Sequence, residues 1–263
     1  MKQLFVIKVG GNVIDDEHSL DSFLEKFSRV PFPKILVHGG GKIATEISAR
    51  LGIEARMVEG KRITDKDTLK IVTMVYAGYV NKTIVGKMNR FGNKTLGICG
   101  ADLNLIPARK RTGTAVDYGY VGDITASEIP AEQWTRMLEK DICPVVAPIT
   151  ADSSGSLLNT NADTIASALA QALCRTYMVT LIYCFEKDGV LQNPGDNSSV
   201  IRSIAPETYS ALKGSGVISK GMIPKLDKSF EALHNGVTRV VVGNAMKLDE
   251  LIHARSGTVL ALN

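Results

Sequence analysis

At 263 residues the chain is long enough for one large α/β domain or two lobes, and at 44% hydrophobic and 22% charged it has the makeup of a globular protein with a sizeable core. Its net charge of +4 is modest and its 31 basic residues are spread out, which argues against a nucleic-acid-binding block and suits small anionic substrates. The longest apolar runs are far too short to span a membrane, and Cys99, Cys143, Cys174 and Cys184 form no CxxC pair, so neither a disulfide framework nor a zinc site is expected.

Leu4-Phe5-Val6-Ile7 reads as a buried strand, and the chain enters it at once, so no signal peptide is expected. Lys8 stands at its carboxyl end, followed by Gly10-Gly11, which is where α/β sheets bind ligands. Glycines let backbone N–H groups approach an anion, and a lysine adds a mobile charge; the plainer alternative is a strand-to-helix turn with a solvated lysine. Residues 15–29 carry Leu20, Phe23, Leu24 and Phe27 at helical spacing, ended by Pro31 and Pro33. A second strand at 35–37 runs into His38-Gly39-Gly40-Gly41, and an amphipathic helix follows over 42–51.

Residues 65–92 predict a long helix, with a break marked by Gly78 and Val80-Asn81-Lys82. Further strands are predicted at 95–99, 143–147, 178–183, 239–242 and 257–260, and helices at 131–139, 162–173 and 222–235. Short strands over 105–108, 115–118 and 120–124 suggest a small antiparallel patch. The alternation predicts an α/β fold: a three-layer sandwich with a mainly parallel central sheet, in two lobes divided near Ala172. Cys99, Cys143 and Cys184 fall in or beside strand-like runs and read as reduced core thiols of a cytoplasmic protein. His18, His38, His234 and His253 lack metal spacing.

There is no P-loop motif. Gly39-Gly40-Gly41-Lys42-Ile43-Ala44 satisfies a loose dinucleotide fingerprint, with Glu59 at a distance that suits a ribose contact. That reading leaves Gly10-Gly11 unexplained, whereas two glycine turns on neighbouring strands suit two backbone cradles on one anion. Lys8, Arg62, Asn159, Asn161, Asp163 and Lys225 then need roles. Helix capping covers Asn161 and Asp163 but not Asn159, and Lys225 lies in a first helical turn, where a cation is mildly unfavourable. Arg62 is either a surface arginine or the fork for a carboxylate. Together these parts describe phosphoryl transfer: glycine backbones and two lysines neutralise the moving group, an aspartate holds the lysines, and an arginine clamps an acidic substrate.

These residues carry a resemblance. Lys8-Val9-Gly10-Gly11, Val37-His38-Gly39-Gly40-Gly41, Gly60-Lys61-Arg62-Ile63-Thr64-Asp65, Ala77-Gly78-Tyr79-Val80-Asn81-Lys82, Pro144-Val145-Val146-Ala147-Pro148-Ile149, Leu158-Asn159-Thr160-Asn161-Ala162-Asp163 and Gly221-Met222-Ile223-Pro224-Lys225 occur in order over essentially the whole chain. The sequence resembles the amino-acid kinase family, and within it the members that act on N-acylated glutamate. The resemblance implies transfer of the ATP γ-phosphoryl to the γ-carboxylate of an N-acyl-L-glutamate in arginine biosynthesis, with Mg²⁺. It implies an acyl amino acid-binding and dimerisation lobe over 1–172 and a nucleotide-binding lobe over 173–263.

In this resemblance Lys8 and Lys225 stabilise the transition state, Asp163 organises them, and Gly11 and Gly40 donate N–H groups to the phosphoryl. Gly40, Gly41, Arg62, Asn159 and Asn161 bind the acyl-glutamate. Lys8, Gly10, Gly11, Glu186, Gly189 and Lys225 face the nucleotide, and no resident metal ligand is expected. One stretch departs from the family: Phe185-Glu186-Lys187-Asp188-Gly189-Val190 places Glu186 where the nucleotide-side aspartate is expected. The rivals are a kinase of the same family acting on another carboxylate or on carbamate, and a non-catalytic sensor of the same fold.

The resemblance further implies that arginine-sensitive members carry a mobile helix before the first strand. Here Met1-Lys2-Gln3 leads straight into Leu4, so the expectation is a homodimer that arginine does not inhibit. The surplus apolar positions of 65–92 are either its interface or core beneath the sheet. No nucleic acid or membrane partner is expected.

Overall fold

The computed structural model describes residues 1–262 apart from Phe32, Glu59, Pro194 and 219–221. Glu59, and Gly221 with which the last motif begins, therefore lie outside the described residues. The strands of the central sheet are β1 (Lys2–Val9), β2 (Lys34–His38), β3 (Thr95–Cys99), β4 (Cys143–Ala147), β5 (Tyr177–Phe185), β6 (Ser203–Ile204), β7 (Arg239–Asn244) and β8 (Thr258–Leu260). They stand side by side in the order β6-β8-β7-β5-β1-β2-β4-β3. Neighbours are parallel except β7 and β8, so the sheet is continuous and mainly parallel.

Side chains alternate along each strand, and both faces are buried, as a parallel sheet between helices requires. Leu4 and Val6 of β1 join one core with Trp134, Ile165, Leu169 and Phe230. Phe5, Ile7 and Val9 join the other with Phe23, Phe27, Ile71 and Ile84. The helices that matter for the site are α1 (Gly11–Asp15), α2 (Glu17–Ser28), α3 (Gly41–Arg50), α4 (Lys66–Thr73), α5 (Asn81–Arg90), α6 (Ala131–Leu138), α7 (Ala162–Leu173), α8 (Pro206–Gly214) and α9 (Ile223–His234).

The expected break in the long helix is a π-helical segment, Met74–Val80, that joins α4 to α5 without interrupting the rod. The small antiparallel patch pairs Ala108–Lys110 with Gly122–Ile124, while 115–118 is not a strand. Two short hairpins, Met57–Val58 with Lys61–Arg62 and Ile149–Ala151 with Leu157–Asn159, were not expected from the sequence, and neither was α8. All four cysteines are free thiols; Cys143 and Cys184 are buried, and burial pushes both up to about 12. Among the described residues no helix is long and apolar enough to cross a membrane.

Candidate active site

The alternation of β1 places Lys8 on the same face as Leu4 and Val6, which is the face that α7 covers. Asp163 lies in the first turn of α7. α9 packs beside α7 and brings Lys225 in its own first turn. The three therefore meet: Lys8 Nζ is 2.8 Å and Lys225 Nζ 3.7 Å from the Asp163 carboxylate. All three are half-buried. Burial works to raise the Asp163 carboxyl, but the charges of Lys8 and Lys225 outweigh it and hold the group below its ordinary range. Burial lowers Lys225, the Lys8 charge adds to that, and Asp163 opposes both. The Lys225 ammonium also lies over the rings of Phe185, at 5.3 Å, and Tyr183, at 5.6 Å.

Val9 is paired with both Cys184 and His38, so β1, β2 and β5 end side by side. The two glycine turns consequently touch: a Cβ on Gly39 would stand 3.8 Å from the Gly11 nitrogen. Gly10 and Gly40 are the N-caps of α1 and α3, and neither helix has a side-chain cap, so both present uncapped N–H groups beside Lys8. Gly40 needs to be glycine. Its φ is +140°, and a Cβ there would come within 3.1 Å of the Tyr76 ring.

Arg62, only 8% exposed, donates to the Gly41 carbonyl at 2.9 Å and to Thr45 Oγ1 at 2.7 Å. Its Nη1 is buried without an acceptor among the described residues. A buried guanidinium nitrogen without an acceptor, beside the N-terminus of α3, suits a carboxylate supplied by a ligand. Asn159 ends the Leu157–Asn159 hairpin strand; its amide donates to Thr64 Oγ1 at 3.0 Å and its backbone N–H to the Tyr120 carbonyl, which ties it to the Arg62 segment. Asn161 is the cap of α7, its Oδ1 accepting from the N–H groups of Asp163 and Thr164.

On the other side of the sheet's carboxyl edge, Phe185, Lys187, Gly189, Val190, Leu191, Ile218 and Met222 line a cleft of about 130 Å³. Gly189 is packed so closely that a Cβ would meet Thr258 and Val200 at 2.7 Å. Glu186 is exposed and accepts from the Asn12 amide. Asp188, two residues on, is the carboxylate held in place, by Asn244 at 2.9 Å and Lys247 at 2.9 Å. Sequence reasoning missed Tyr76, whose hydroxyl faces Arg62, and Thr45; in the sequence Tyr76 reads only as one more large residue of a helical stripe. Among the described residues no three His, Cys, Asp or Glu side chains gather as a metal site.

The profile of the amino acid kinase family matches residues 3–244. An acetylglutamate kinase from Cytophaga hutchinsonii is 52% identical over 266 residues, covering 100% of both chains.

The chain belongs to the amino acid kinase family.

An acetylglutamate kinase from Methanopyrus kandleri is 38% identical over 97% of this chain and 99% of its own. Among solved structures, the smu.665 protein of Streptococcus mutans superposes with a TM-score of 0.81 at 26% identity, covering 100% of each chain. An amino acid kinase moves a phosphoryl group from ATP, and in this chain the Lys8–Asp163–Lys225 bridge stands beside the first glycine turn.

Proposed function

We propose that the chain transfers the γ-phosphoryl of ATP to the γ-carboxylate of N-acetyl-L-glutamate, giving the acyl phosphate and ADP, as a step of arginine biosynthesis in the cytoplasm. The observation that carries this reading is the pair of lysines held on Asp163 beside two uncapped glycine turns. Lys8 and Lys225 neutralise the charge that spreads over the transferring phosphoryl, and the Gly11 and Gly40 N–H groups hold its oxygens. Asp163 is not a base; with two ammonium groups on it, it stays ionised and keeps them aimed. Arg62, through Nη1, clamps a carboxylate of the acceptor, with Gly41 and Asn159 completing that end.

We assign the acceptor and the nucleotide to the two ends of a two-lobe division. Arg62, Gly40, Gly41 and Asn159 fall within 1–172, and the cleft lined by Phe185, Gly189 and Met222 falls within 173–263, where the nucleotide base would lie. Glu186 and Gly10 border the path between that cleft and Lys8. Mg²⁺ would arrive with ATP: a magnesium ion keeps most of its waters and is commonly held by substrate phosphates and one or two carboxylates, so no protein cage is required. A non-catalytic sensor would have no need of an intact Lys8–Asp163–Lys225 bridge.

For assembly we favour a homodimer. Met74 and Tyr79 on the π segment and Leu96 on the edge strand β3 are large and exposed, and a twofold pairing is the commonest closed arrangement. ADP release measured with N-acetyl-L-glutamate, N-succinyl-L-glutamate, free glutamate and carbamate tests the assignment. Turnover with the N-acetyl compound should exceed all others, and preference for carbamate or free glutamate would overturn it.

A further inference from the structure

Behind the second glycine turn runs a buried polar chain that phosphoryl transfer, as described above, does not use. His38 and Asn81 are both fully buried. Asn81 follows directly on the π segment and opens α5. Lys82 Nζ lies 3.1 Å from Asn81 Oδ1 and donates to the Gly97 carbonyl at 2.9 Å. Asn81 Nδ2 lies 2.9 Å from the Val145 carbonyl and 3.1 Å from His38 Nε2. His38 Nδ1 lies 2.8 Å from the Gly39 carbonyl. Gly97 is glycine because a Cβ would collide with Asn81 Oδ1.

Every proton in this chain is determined from its ends. An ammonium only donates, so Lys82 fixes the Asn81 oxygen; a carbonyl only accepts, so Val145 fixes the Asn81 nitrogen. His38 Nε2 must then accept, which leaves the ring proton on Nδ1, donated to Gly39. The Gly39 carbonyl, an acceptor only, demands the same tautomer from the other end. Burial holds the imidazole's pKa down to about 4, so the ring stays neutral.

The described peptide bonds are all trans, so the Gly39 carbonyl and the Gly40 N–H point in opposite directions. Among the described residues the Gly40 N–H meets no acceptor. We propose that His38 is a positioning residue: by donating from Nδ1 to the Gly39 carbonyl it turns the Gly40 N–H toward the transferring phosphoryl and holds it there, with Asn81 and Lys82 fixing its tautomer. Tyr76 and Val80 of the π segment pack where a Gly40 side chain would stand, so the turn is braced by that packing and by the hydrogen bonds of Asn81 and His38 together. The inference rests on the phosphoryl-transfer reading and assigns its cradle a buttress.

Two substitutions separate positioning from bulk. His38→Asn keeps an N–H at the place of Nδ1. His38→Gln moves its amide to the place of Nε2 and leaves the Gly39 carbonyl without a donor. A lost oxyanion donor costs roughly 10²–10³ in rate; a donor that is present but no longer held should cost His38→Gln at least tenfold in kcat, with KM for both substrates little changed, and His38→Asn should recover most of that loss. Equal losses in the two variants, or a loss carried by KM, would overturn the proposal. Ring ¹⁵N spectra of the wild-type protein at neutral pH give a readout that needs no variant: the expected ring is neutral and protonated at Nδ1, and protonation at Nε2 or at both nitrogens overturns the assignment. A wild-type protein that released no ADP with any acceptor would instead refute the kinase reading, and the role in transfer with it, while leaving the ring spectrum unaffected.

Discussion

Asp163→Asn removes the carboxylate between Lys8 and Lys225 and changes little else in shape. The wild-type ion pairs are 2.8 and 3.7 Å long, and the Asp163 side chain is 20% exposed. Deleting one partner of a buried pair costs roughly 3–5 kcal/mol, and the partial exposure of all three groups puts the effect at the low end, about 3 kcal/mol. Lys225 can relieve that repulsion by releasing a proton, so its pKa should fall further. Lys225 is the group that gives way, because burial and the Lys8 charge already lower it and Asp163 is what opposes them. The variant should therefore lose kcat on the alkaline side at a lower pH than wild type, with the loss approaching the roughly 10²–10³ expected for one missing charge. ADP release at saturating substrates, followed from neutral to alkaline pH, reads this directly. A variant profile parallel to wild type and merely scaled down would refute the argument that Asp163 acts through the lysines' charge.

Arg62→Lys should raise KM for the acyl-glutamate and leave kcat nearly unchanged, since a lysine keeps the charge and loses the planar fork; an unchanged KM would exclude Arg62 as the clamp. Gly40→Ala should cost roughly 1–3 kcal/mol of stability for a side chain at φ +140°, seen as a lower Tm, together with a loss of kcat from the displaced cradle. His38 makes stability pH-dependent. Its pKa is lowered in the fold to about 4 from 6.5, so the unfolded chain binds the proton first, and stability is full above the upper value and lost as pH falls to the lower. That window is worth about 3 kcal/mol, and the slope should be weaker in His38→Asn by chemical denaturation at matched pH. Light scattering should give the mass of a homodimer, and the charged substitution Tyr79→Glu should shift it toward the monomer if the π segment forms the contact.

The sheet was legible because buried parallel strands leave short apolar runs with glycine turns at one end, and β1, β2, β4 and β5 lie where those runs predict. Lys8, Asp163 and Lys225 could each be singled out by a residue type out of keeping with its place, a lysine ahead of glycines or a cation in a first helical turn. Their meeting could not be read directly, since it depends on which face of β1 is covered by α7 and on α9 packing against α7. Asn161 shows the limit of the same reasoning: its position at a helix start suits both a cap and a ligand contact, and its oxygen is committed to the cap. The π segment was visible only as a break near Gly78, because a π turn keeps the apolar spacing of the helix around it and differs in a hydrogen-bond register set by tertiary packing. Tyr76 and His38 were illegible for the same cause. A buried tyrosine and a scattered histidine carry no local mark of the glycine turn they support.

Hydroxylamine trapping tests the central claim most directly, because it reads the bond that is made and not merely the nucleotide consumed. An acyl phosphate reacts with hydroxylamine to give a hydroxamate and inorganic phosphate. Incubation of the protein with ATP, Mg²⁺, N-acetyl-L-glutamate and hydroxylamine should give the γ-hydroxamate of N-acetylglutamate in step with ADP, and Lys8→Ala should abolish both together. ADP formed without hydroxamate, or no ADP at all with this acceptor, would contradict the account.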